Sequence, residues 1–349
     1  HALEELRRLA PRLGTAQWHR DCSADASTAA SGSVQPVTAE LAAALDDHVF
    51  LCFTHTRRGA AAITIADGAA SAYDLAPAAD IADAVAKLLH AARSAALFPG
   101  ARGRDTVRPG ALVERLLLAP VAAALGTRPL VIAPAPYTRD LPWGMLPGLR
   151  GRAVTVVPSG RSWLDCRNRA AGRGRRARRV LLAAGRELAG AAAEVESLRP
   201  RYPEATVLTG PAARVPDVLR GLGRADVAHL SAHGSAPADT PMLSGIFLAD
   251  GPLFAYDLER LPESPALTVL SSCWVGRCAP SPSGFPLGLS TSLLATGGVT
   301  VIAGVLPVSD GETTPGMLRL HDALAADVPP ARAVADHLAD SGFVCFGAG

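Results

Sequence analysis

The chain has 349 residues, of which 49% are hydrophobic and 19% are charged, and its formal net charge is +2. This composition is typical of a folded protein with a large buried core and excludes a disordered chain. A charge so close to neutral does not favour a nucleic acid or a membrane surface as a direct partner, and no apolar run reaches the ~20 residues of a membrane span.

The chain starts at His1 without a signal-peptide pattern, which predicts that it is the C-terminal part of a longer polypeptide. The cysteines are scattered, at Cys22, Cys52, Cys166, Cys273, Cys278 and Cys345. Because disulfide frameworks are dense in small secreted chains, we interpret these thiols as reduced and the protein as cytoplasmic. Cys273 and Cys278 lack a second pair at zinc spacing, so we expect no metal site. We expect no cofactor either, and the absence of a G-x-x-x-x-G-K-[ST] loop argues against an NTPase.

The first half of the chain is predicted to hold a small sheet with helices packed on it. Residues 15–36 are rich in Ser, Ala and Thr without a period, which indicates a loop. Helical spacing of Ala, Leu and Val predicts helices at 81–96 and 111–125. Short apolar runs bounded by turn residues predict strands at 48–56, 60–68, 128–136 and 152–160.

The stretch "RNRAAGRGRRARR", Arg167 to Arg179, holds seven arginines and no acidic residue. We interpret it as a solvated linker between two halves, residues 1–170 and residues 171–349. Two alternatives remain open: a patch for phosphate or RNA, and a loop that is cleaved during activation.

Strands and helices alternate after this stretch. Strands are predicted at 180–184, 205–208, 226–231, 268–272 and 299–305, and helices at 191–202, 214–222, 286–296, 313–325 and 331–339. This alternation predicts an α/β fold with a mostly parallel sheet and helices on both faces. Such sheets carry their sites in the loops at the carboxyl ends of the strands.

Two of these strands end in candidate catalytic residues. "DVAHLSAHGS" leads to His233 and Gly234, and "TVLSSCWVG" leads to Cys273. If both strands are parallel in one sheet, an imidazole lies near a thiol, lowers its pKa from ~8.5 and creates a nucleophile for acyl transfer. His233 would act as general base and then general acid, and the backbone N–H groups of Gly234 and Cys273 would stabilise the oxyanion.

Each residue taken alone also fits a structural role. A cysteine at the end of a strand is often a small buried hydrophobe, and a His before Gly often belongs to a turn. His229, on the same strand as His233, is either a core histidine or a group that orients the site. The order His then Cys, each after a buried strand, favours the catalytic interpretation.

Several segments together carry a family resemblance. They include "HLSAHG" (229–234), "LTVLSSC" (267–273) and the long run from "PLGLSTSLLATGG" at 286 through "LRLHDAL" at 324. With "LPWGMLPGL" (141–149), "VTVVPSGRSWL" (154–164) and the closing "GFVCFG", nearly the whole chain resembles the CHAT domain. This is a caspase-like cysteine protease family related to separase, within the caspase–hemoglobinase fold.

The resemblance implies a catalytic half with a Cys–His dyad, matched by Cys273 and His233, preceded by a pseudo-caspase-like α/β half. It implies a protein substrate and a role in bacterial defence or signalling. An upstream tetratricopeptide or other sensor module would be a typical partner. No membrane partner is expected, and nucleic acid would take part only indirectly.

"LPVSDGET" (306–313) resembles the separase-like segment in which an acidic side chain lines the substrate pocket, and Asp310 is the matching position. A carboxylate there would favour Arg or Lys before the scissile bond. Asp310 equally fits a turn or a helix cap. With a preference for Arg, the stretch from Arg167 to Arg179 becomes a candidate for self-cleavage.

The chain also departs from the family pattern. Trp274 stands where small polar residues are common, and Leu306 stands where Trp is common. Trp274 could wall the substrate cleft, and the acidic residue often found after the Cys is missing from "RCAPSPSGFPLG" (277–288). A catalytically silent caspase-like scaffold for protein interaction therefore stays open as an alternative to the protease. A serine esterase or amidase is disfavoured because no G-x-S-x-G elbow occurs.

Overall fold

A computed structural model describes residues 34–56, 59–97, 104–173, 179–280, 286–307 and 310–349. The helices are α1 (Val34–Ala44), α2 (Ala78–Leu97), α3 (Arg104–Leu117), α4 (Ala122–Leu125), α5 (Gly160–Arg173), α6 (Ala189–Leu198), α7 (Val215–Leu222), α8 (Leu289–Ala295), α9 (Asp310–Ala325) and α10 (Pro330–His337). The strands up to the middle of the chain are β1 (Val49–Thr56), β2 (Gly59–Ala66), β3 (Ala69–Asp74), β4 (Leu130–Ala133), β5 (Val154–Val156), β6 (Val180–Ala184), β7 (Thr206–Leu208) and β8 (Val227–Ser231). The later strands are β9 (Gly234–Ser235), β10 (Gly245–Leu248), β11 (Gly251–Phe254), β12 (Leu267–Ser271), β13 (Ala279–Pro280), β14 (Pro286–Leu287), β15 (Thr300–Gly304) and β16 (Phe343–Gly347).

Within the described residues, eleven strands form one sheet in the order β3-β2-β1-β4-β5-β16-β15-β12-β8-β6-β7. The pairs β1–β2, β2–β3 and β15–β16 are antiparallel, and the other neighbours are parallel. The prediction of an α/β fold with a mostly parallel sheet is confirmed. Residues 1–170 and 171–349 contribute adjacent parts of this sheet, meeting where β5 pairs with β16, and their division into two halves stays a prediction.

The sheet buries both of its faces in the second half of the chain. Leu182 and Ala184 pack in one apolar cluster with α6, α9 and α10, whereas Leu181 and Ala183 pack in another with α7 and α8. Successive strand residues point to opposite faces, so a continuous apolar run such as β6 fills both. Helices therefore cover both faces, as the alternation of elements predicts.

Two predictions for the first half need correction, and one strand was missed. The loop predicted up to residue 36 is wrong at its end, because α1 begins at Val34, while residues 15–33 lie outside the described part. The helix predicted at 111–125 is interrupted after Leu117, because Pro120 has no N–H to continue it. The edge strand β3 was not predicted, since its small, mostly exposed residues carry no hydrophobic signal.

The first part of the arginine-rich stretch is helical. Residues 167–173 are the end of α5, so the linker interpretation is wrong for them, and residues 174–178 lie outside the described part. Arg167 pairs with Asp46 at 2.9 Å and Arg173 with Glu263 at 2.6 Å. Buried Trp163 supplies apolar contact for the helix. The phosphate, RNA and self-cleavage interpretations of this stretch stay predictions.

In the second half the predicted strands and helices are confirmed with shifts of a few residues. One helix starts later than expected, because residues 286–287 form β14 and α8 begins at Leu289. The small sheet of β9, β10 and β11 was not predicted. It follows β8 directly and therefore adjoins the loop that carries His233.

Candidate active site

His233 and Cys273 follow two neighbouring strands of the sheet. β8 and β12 are parallel, and Ser231 lies opposite Ser271 at their carboxyl ends. His233 and Cys273 each come two residues after these serines. Because neighbouring strands lie ~4.8 Å apart, the two segments leave the sheet side by side at one edge. The prediction that these strands are parallel neighbours is confirmed.

Both residues line one cleft of about 250 Å³. His233 is exposed and Cys273 is half-buried, so a partner can reach both. A cleft this small suits one side chain of a larger partner more than a free ligand of drug size. The other lining residues are Leu188, Gly190, Ala191, Glu194, Ser231, Ala232, Ser271, Ser272, Thr313 and Thr314.

Gly234 lets the two loops approach each other. A Cβ atom at this position would lie 2.3 Å from the backbone oxygen of Cys273 and 2.7 Å from a methyl carbon of Val275. Such distances are far below van der Waals contact, so only glycine fits here. The close approach places the backbone of Gly234 beside that of Cys273. Their joint role as an oxyanion hole stays a prediction.

A backbone carbonyl orients the imidazole of His233. Its Nε2 lies 3.2 Å from the carbonyl oxygen of Glu187. A carbonyl only accepts, so Nε2 carries the proton and Nδ1 of the neutral ring keeps the lone pair needed by a base. Glu187 has a φ of 58°, a conformation that costs a non-glycine residue about 1–3 kcal/mol. The sequence carries no sign of this contact, because any residue can supply a carbonyl.

Trp274, directly after Cys273, also has a positive φ, of 66°. Its ring centroid lies 5.0 Å from the guanidinium carbon of Arg93 and 5.3 Å from that of Arg277. Arg277 in turn pairs with Asp140 at 2.9 Å. These contacts direct the ring toward the first half of the chain, and Trp274 is not among the residues that line the cleft. Its predicted part in substrate binding stays a prediction.

Asp310 is the first residue of α9, but its side chain lies outside the described part. Thr313 and Thr314, in the same first turn, line the cleft. The beginning of α9 therefore borders the site. The assignment of Asp310 to substrate binding stays a prediction.

A buried polar group beneath the cleft was missed from the sequence, apart from the suggestion for His229. Glu194 on α6 and His321 on α9 are 3% and 0% exposed, and His229 between them is 0% exposed. The distance from His229 Nε2 to Glu194 Oε1 is 3.0 Å, and that from His229 Nδ1 to His321 Nε2 is 3.0 Å. A polar residue on the buried face of a predicted helix is the signal that could have found Glu194.

Burial suppresses the reactivity of four of the five described cysteines. None of the five described cysteines forms a disulfide. Burial raises the pKa of Cys278 and of Cys345 to about 12 in each case, and it also raises the pKa of Cys52 and Cys166. These four thiols are therefore held in the protonated, unreactive form at neutral pH.

A model of the CHAT domain family matches residues 107–339, more than half of the sequence. The chain belongs to the CHAT domain family. The resemblance inferred from the motifs is confirmed, and the match includes both His233 and Cys273. No sequence among the curated proteins matches the chain.

The solved structure of a separase shows that this CHAT domain has the caspase-like fold. Saccharomyces cerevisiae separase, in its complex with securin, is similar with a TM-score of 0.66 and 7% identity over 89% of this chain and 30% of the separase chain. The CHAT domain chain thus spans under a third of that protein. The Arg-specific cysteine proteinase gingipain R gives a TM-score of 0.42 and 12% identity over 62% of each chain. A complex of the Porphyromonas gingivalis gingipain pro- and mature domains gives 0.45 and 13%, over 78% of this chain and 71% of that one.

In the described part of the CHAT domain chain, no helix is long and apolar enough to span a bilayer.

Proposed function

We propose that the chain is a cysteine endopeptidase that cuts a protein partner after a basic residue. Cys273 attacks the peptide carbonyl while His233 takes the thiol proton, and His233 then gives that proton to the departing amine. The backbone N–H groups of Gly234 and Cys273 stabilise the oxyanion, each by ~3 kcal/mol. Water then hydrolyses the thioester, which releases the new carboxyl terminus and restores the thiol.

The observation that carries this proposal is the matched position of His233 and Cys273, two residues beyond the paired serines of parallel neighbouring strands. Both side chains line the same cleft. The carbonyl of Glu187 supports the base by holding the proton of His233 on Nε2. This arrangement leaves Nδ1 as the atom that can accept the thiol proton.

The charge of the lining supports a basic residue before the scissile bond. Glu194 is the acidic residue of the described lining, and no Lys or Arg lines the cleft. Asp310, at the start of the helix whose first turn borders the site, would add a second negative charge. A basic side chain would be attracted, whereas an apolar one would leave these carboxylates without a counter-charge.

The remaining parts of the proposal rest on the family resemblance. They are a cytoplasmic location, a role in bacterial defence or signalling, and an upstream tetratricopeptide or other sensor module that controls the protease.

Thiol labelling tests the dyad. Iodoacetamide should alkylate Cys273 at pH 7 faster than Cys278, whose pKa of about 12 makes it an internal control. His233→Ala should slow only Cys273, and cleavage of a peptidyl-coumarin library should fall by about 10²–10⁴-fold. Similar alkylation rates at all accessible thiols, with no effect of His233→Ala, would instead support a catalytically silent scaffold.

The same library tests the substrate preference. We expect cleavage after Arg and Lys, and we expect Asp310→Asn to reduce the ratio of Arg to Leu cleavage. An unchanged ratio in Asp310→Asn would show that Asp310 does not contribute to the substrate preference. Such a result would not count against the proposed dyad.

A further inference from the structure

The buried polar group beneath the cleft forms one continuous chain of hydrogen bonds. Tyr202 Oη lies 2.8 Å from His321 Nδ1, and His321 Nε2 lies 3.0 Å from His229 Nδ1. His229 Nε2 lies 3.0 Å from Glu194 Oε1, and Thr314 Oγ1 donates to Glu194 Oε2 at 3.1 Å. The Ser271 hydroxyl also bonds to the Glu194 carboxylate. The chain thus ends on a carboxylate that lines the cleft.

The chemistry of the acceptors sets the direction of the protons. An ionised carboxylate only accepts, so His229 Nε2 carries a proton. With His229 neutral, its Nδ1 accepts from His321 Nε2, and His321 Nδ1 then accepts from the phenol of Tyr202. Burial lowers the pKa of His321 well below its ordinary value, helped by the nearby charge of Arg201. Every polar atom of the chain then has a partner, and all the protons point toward Glu194.

Glu194 is ionised although it is buried. Burial by itself raises the pKa of this carboxyl, but the hydrogen bonds from His229, Ser271 and Thr314 outweigh it and lower the pKa. An ionised group buried to this extent is costly unless donors surround it.

The three donors to Glu194 come from the three other elements that border the cleft. His229 belongs to β8, Ser271 ends β12, and Thr314 stands in the first turn of α9, while Glu194 itself is on α6. Ser271 is two residues from Cys273, and His229 is four residues from His233. One carboxylate therefore joins both catalytic strands to both flanking helices.

We propose that Glu194 is a positioning residue for the dyad: its carboxylate holds the ends of β8 and β12 at the spacing that lets His233 act on Cys273. This inference rests on the proposed function, because it assigns a role only relative to that dyad. His229, His321 and Tyr202 hold the carboxylate in turn. Glu194 does not touch the reacting atoms in this role.

The test uses the full chain and measures the alkylation of Cys273 by iodoacetamide, quantified by peptide mapping, at pH 7 and pH 10. If Glu194 sets the spacing of the dyad, Glu194→Ala raises the thiol pKa by about one unit and slows alkylation at pH 7 about tenfold. At pH 10 the Cys273 thiol is ionised even without the nearby imidazole, so the unsubstituted chain and Glu194→Ala should be alkylated at the same rate. Glu194→Gln should lie between, because its amide oxygen still accepts hydrogen bonds. Glu196→Gln is the matched control, since Glu196 is exposed on the same helix.

An unchanged rate at pH 7 in folded Glu194→Ala would overturn the proposal, and so would equal slowing at both pH values, which would indicate a general loss of structure.

If circular dichroism shows that Glu194→Ala is unfolded, Ser271→Ala decides, because it removes one donor only. We then expect alkylation of Cys273 to slow about threefold at pH 7 and not at pH 10, and no change would overturn the proposal. If the alkylation rate of Cys273 at pH 7 falls in His233→Ala but not in Glu194→Ala, only this inference is contradicted. If the rate does not change in His233→Ala, the proposed function itself is contradicted.

Discussion

The two parts of the large sheet end in different ways at their carboxyl edge. In the first half, β4 and β5 are followed closely by Pro134 and Pro158. In the second half, β8 and β12 are followed by His233 and Cys273. The strands themselves are alike, since all four are buried and apolar at most positions. The difference therefore lies in the short segments after the strands.

The interiors of the two halves differ as well. Among the described residues, the buried acidic and imidazole side chains are Glu194, His229 and His321, and all three lie in the second half. The buried polar residues of the first half are threonines and a serine, at Thr64, Thr106, Thr138, Thr155 and Ser162. The strands of the first half thus pack without a buried carboxylate or imidazole. This contrast agrees with the role proposed for the buried cluster beneath the cleft.

A substitution that creates a cavity in the core of the first half should have the largest effect on stability. Ile132 is fully buried in β4, so Ile132→Ala should lower the free energy of unfolding by about 2–5 kcal/mol in urea denaturation. The alkylation rate of Cys273 in the folded protein should not change. A changed alkylation rate would contradict this contrast between the two halves, because it would show that packing in the first half also affects the reactivity of Cys273.

A methyl group at Gly234 should act on both stability and reactivity. Gly234→Ala would force its Cβ against the oxygen of Cys273, and the backbone shift should cost about 1–3 kcal/mol and slow alkylation of Cys273. The control is Gly172→Ala in α5, where nothing lies within 4 Å of the new Cβ. This change should stabilise the protein by about 0.5–1 kcal/mol. Equal effects of the two substitutions would show that the two loops are not held together at Gly234.

We expect the smallest effect from buried His321, which should make the free energy of unfolding depend on pH. The pKa of His321 is lowered in the folded chain. Below about pH 6.5 the His321 imidazole is therefore protonated in the unfolded chain but stays neutral in the folded chain. Stability should therefore be complete above this pH and fall by about 1.4 kcal/mol per pH unit below it, until the lowered pKa is reached.

His321→Gln should flatten the slope between pH 6.5 and 5, measured by urea denaturation at each pH. His90→Gln, at an exposed site on α2 in the first half, should leave the slope unchanged. Glu194 acts at lower pH, since its pKa is also lowered and its contribution is lost only as the carboxylate becomes protonated. An unaltered slope in His321→Gln would contradict the account of the buried cluster.

The sequence alone predicted most elements of the second half, because long apolar runs and helical spacing there are regular. It predicted less well in three places. The break in the helix at Pro120 had a local signal that was not used, the edge strand β3 carries no hydrophobic signal, and the helix that continues to Arg173 runs into an arginine-rich stretch. The placement of His233 and Cys273 at one edge of the sheet was predictable, because both follow strands of the same kind and parallel strands bring their carboxyl ends to one edge.

Only the tertiary structure brought Glu194, His229 and His321 together, because they lie on α6, β8 and α9, far apart in the chain. No local pattern records that a helix residue will meet a strand residue, and no side chain marks Glu187 as the carbonyl that holds His233. Residue type and spacing thus determined which groups could react. The folded arrangement decided which groups hold them, since hydrogen bonds between distant elements depend on packing and not on proximity in sequence.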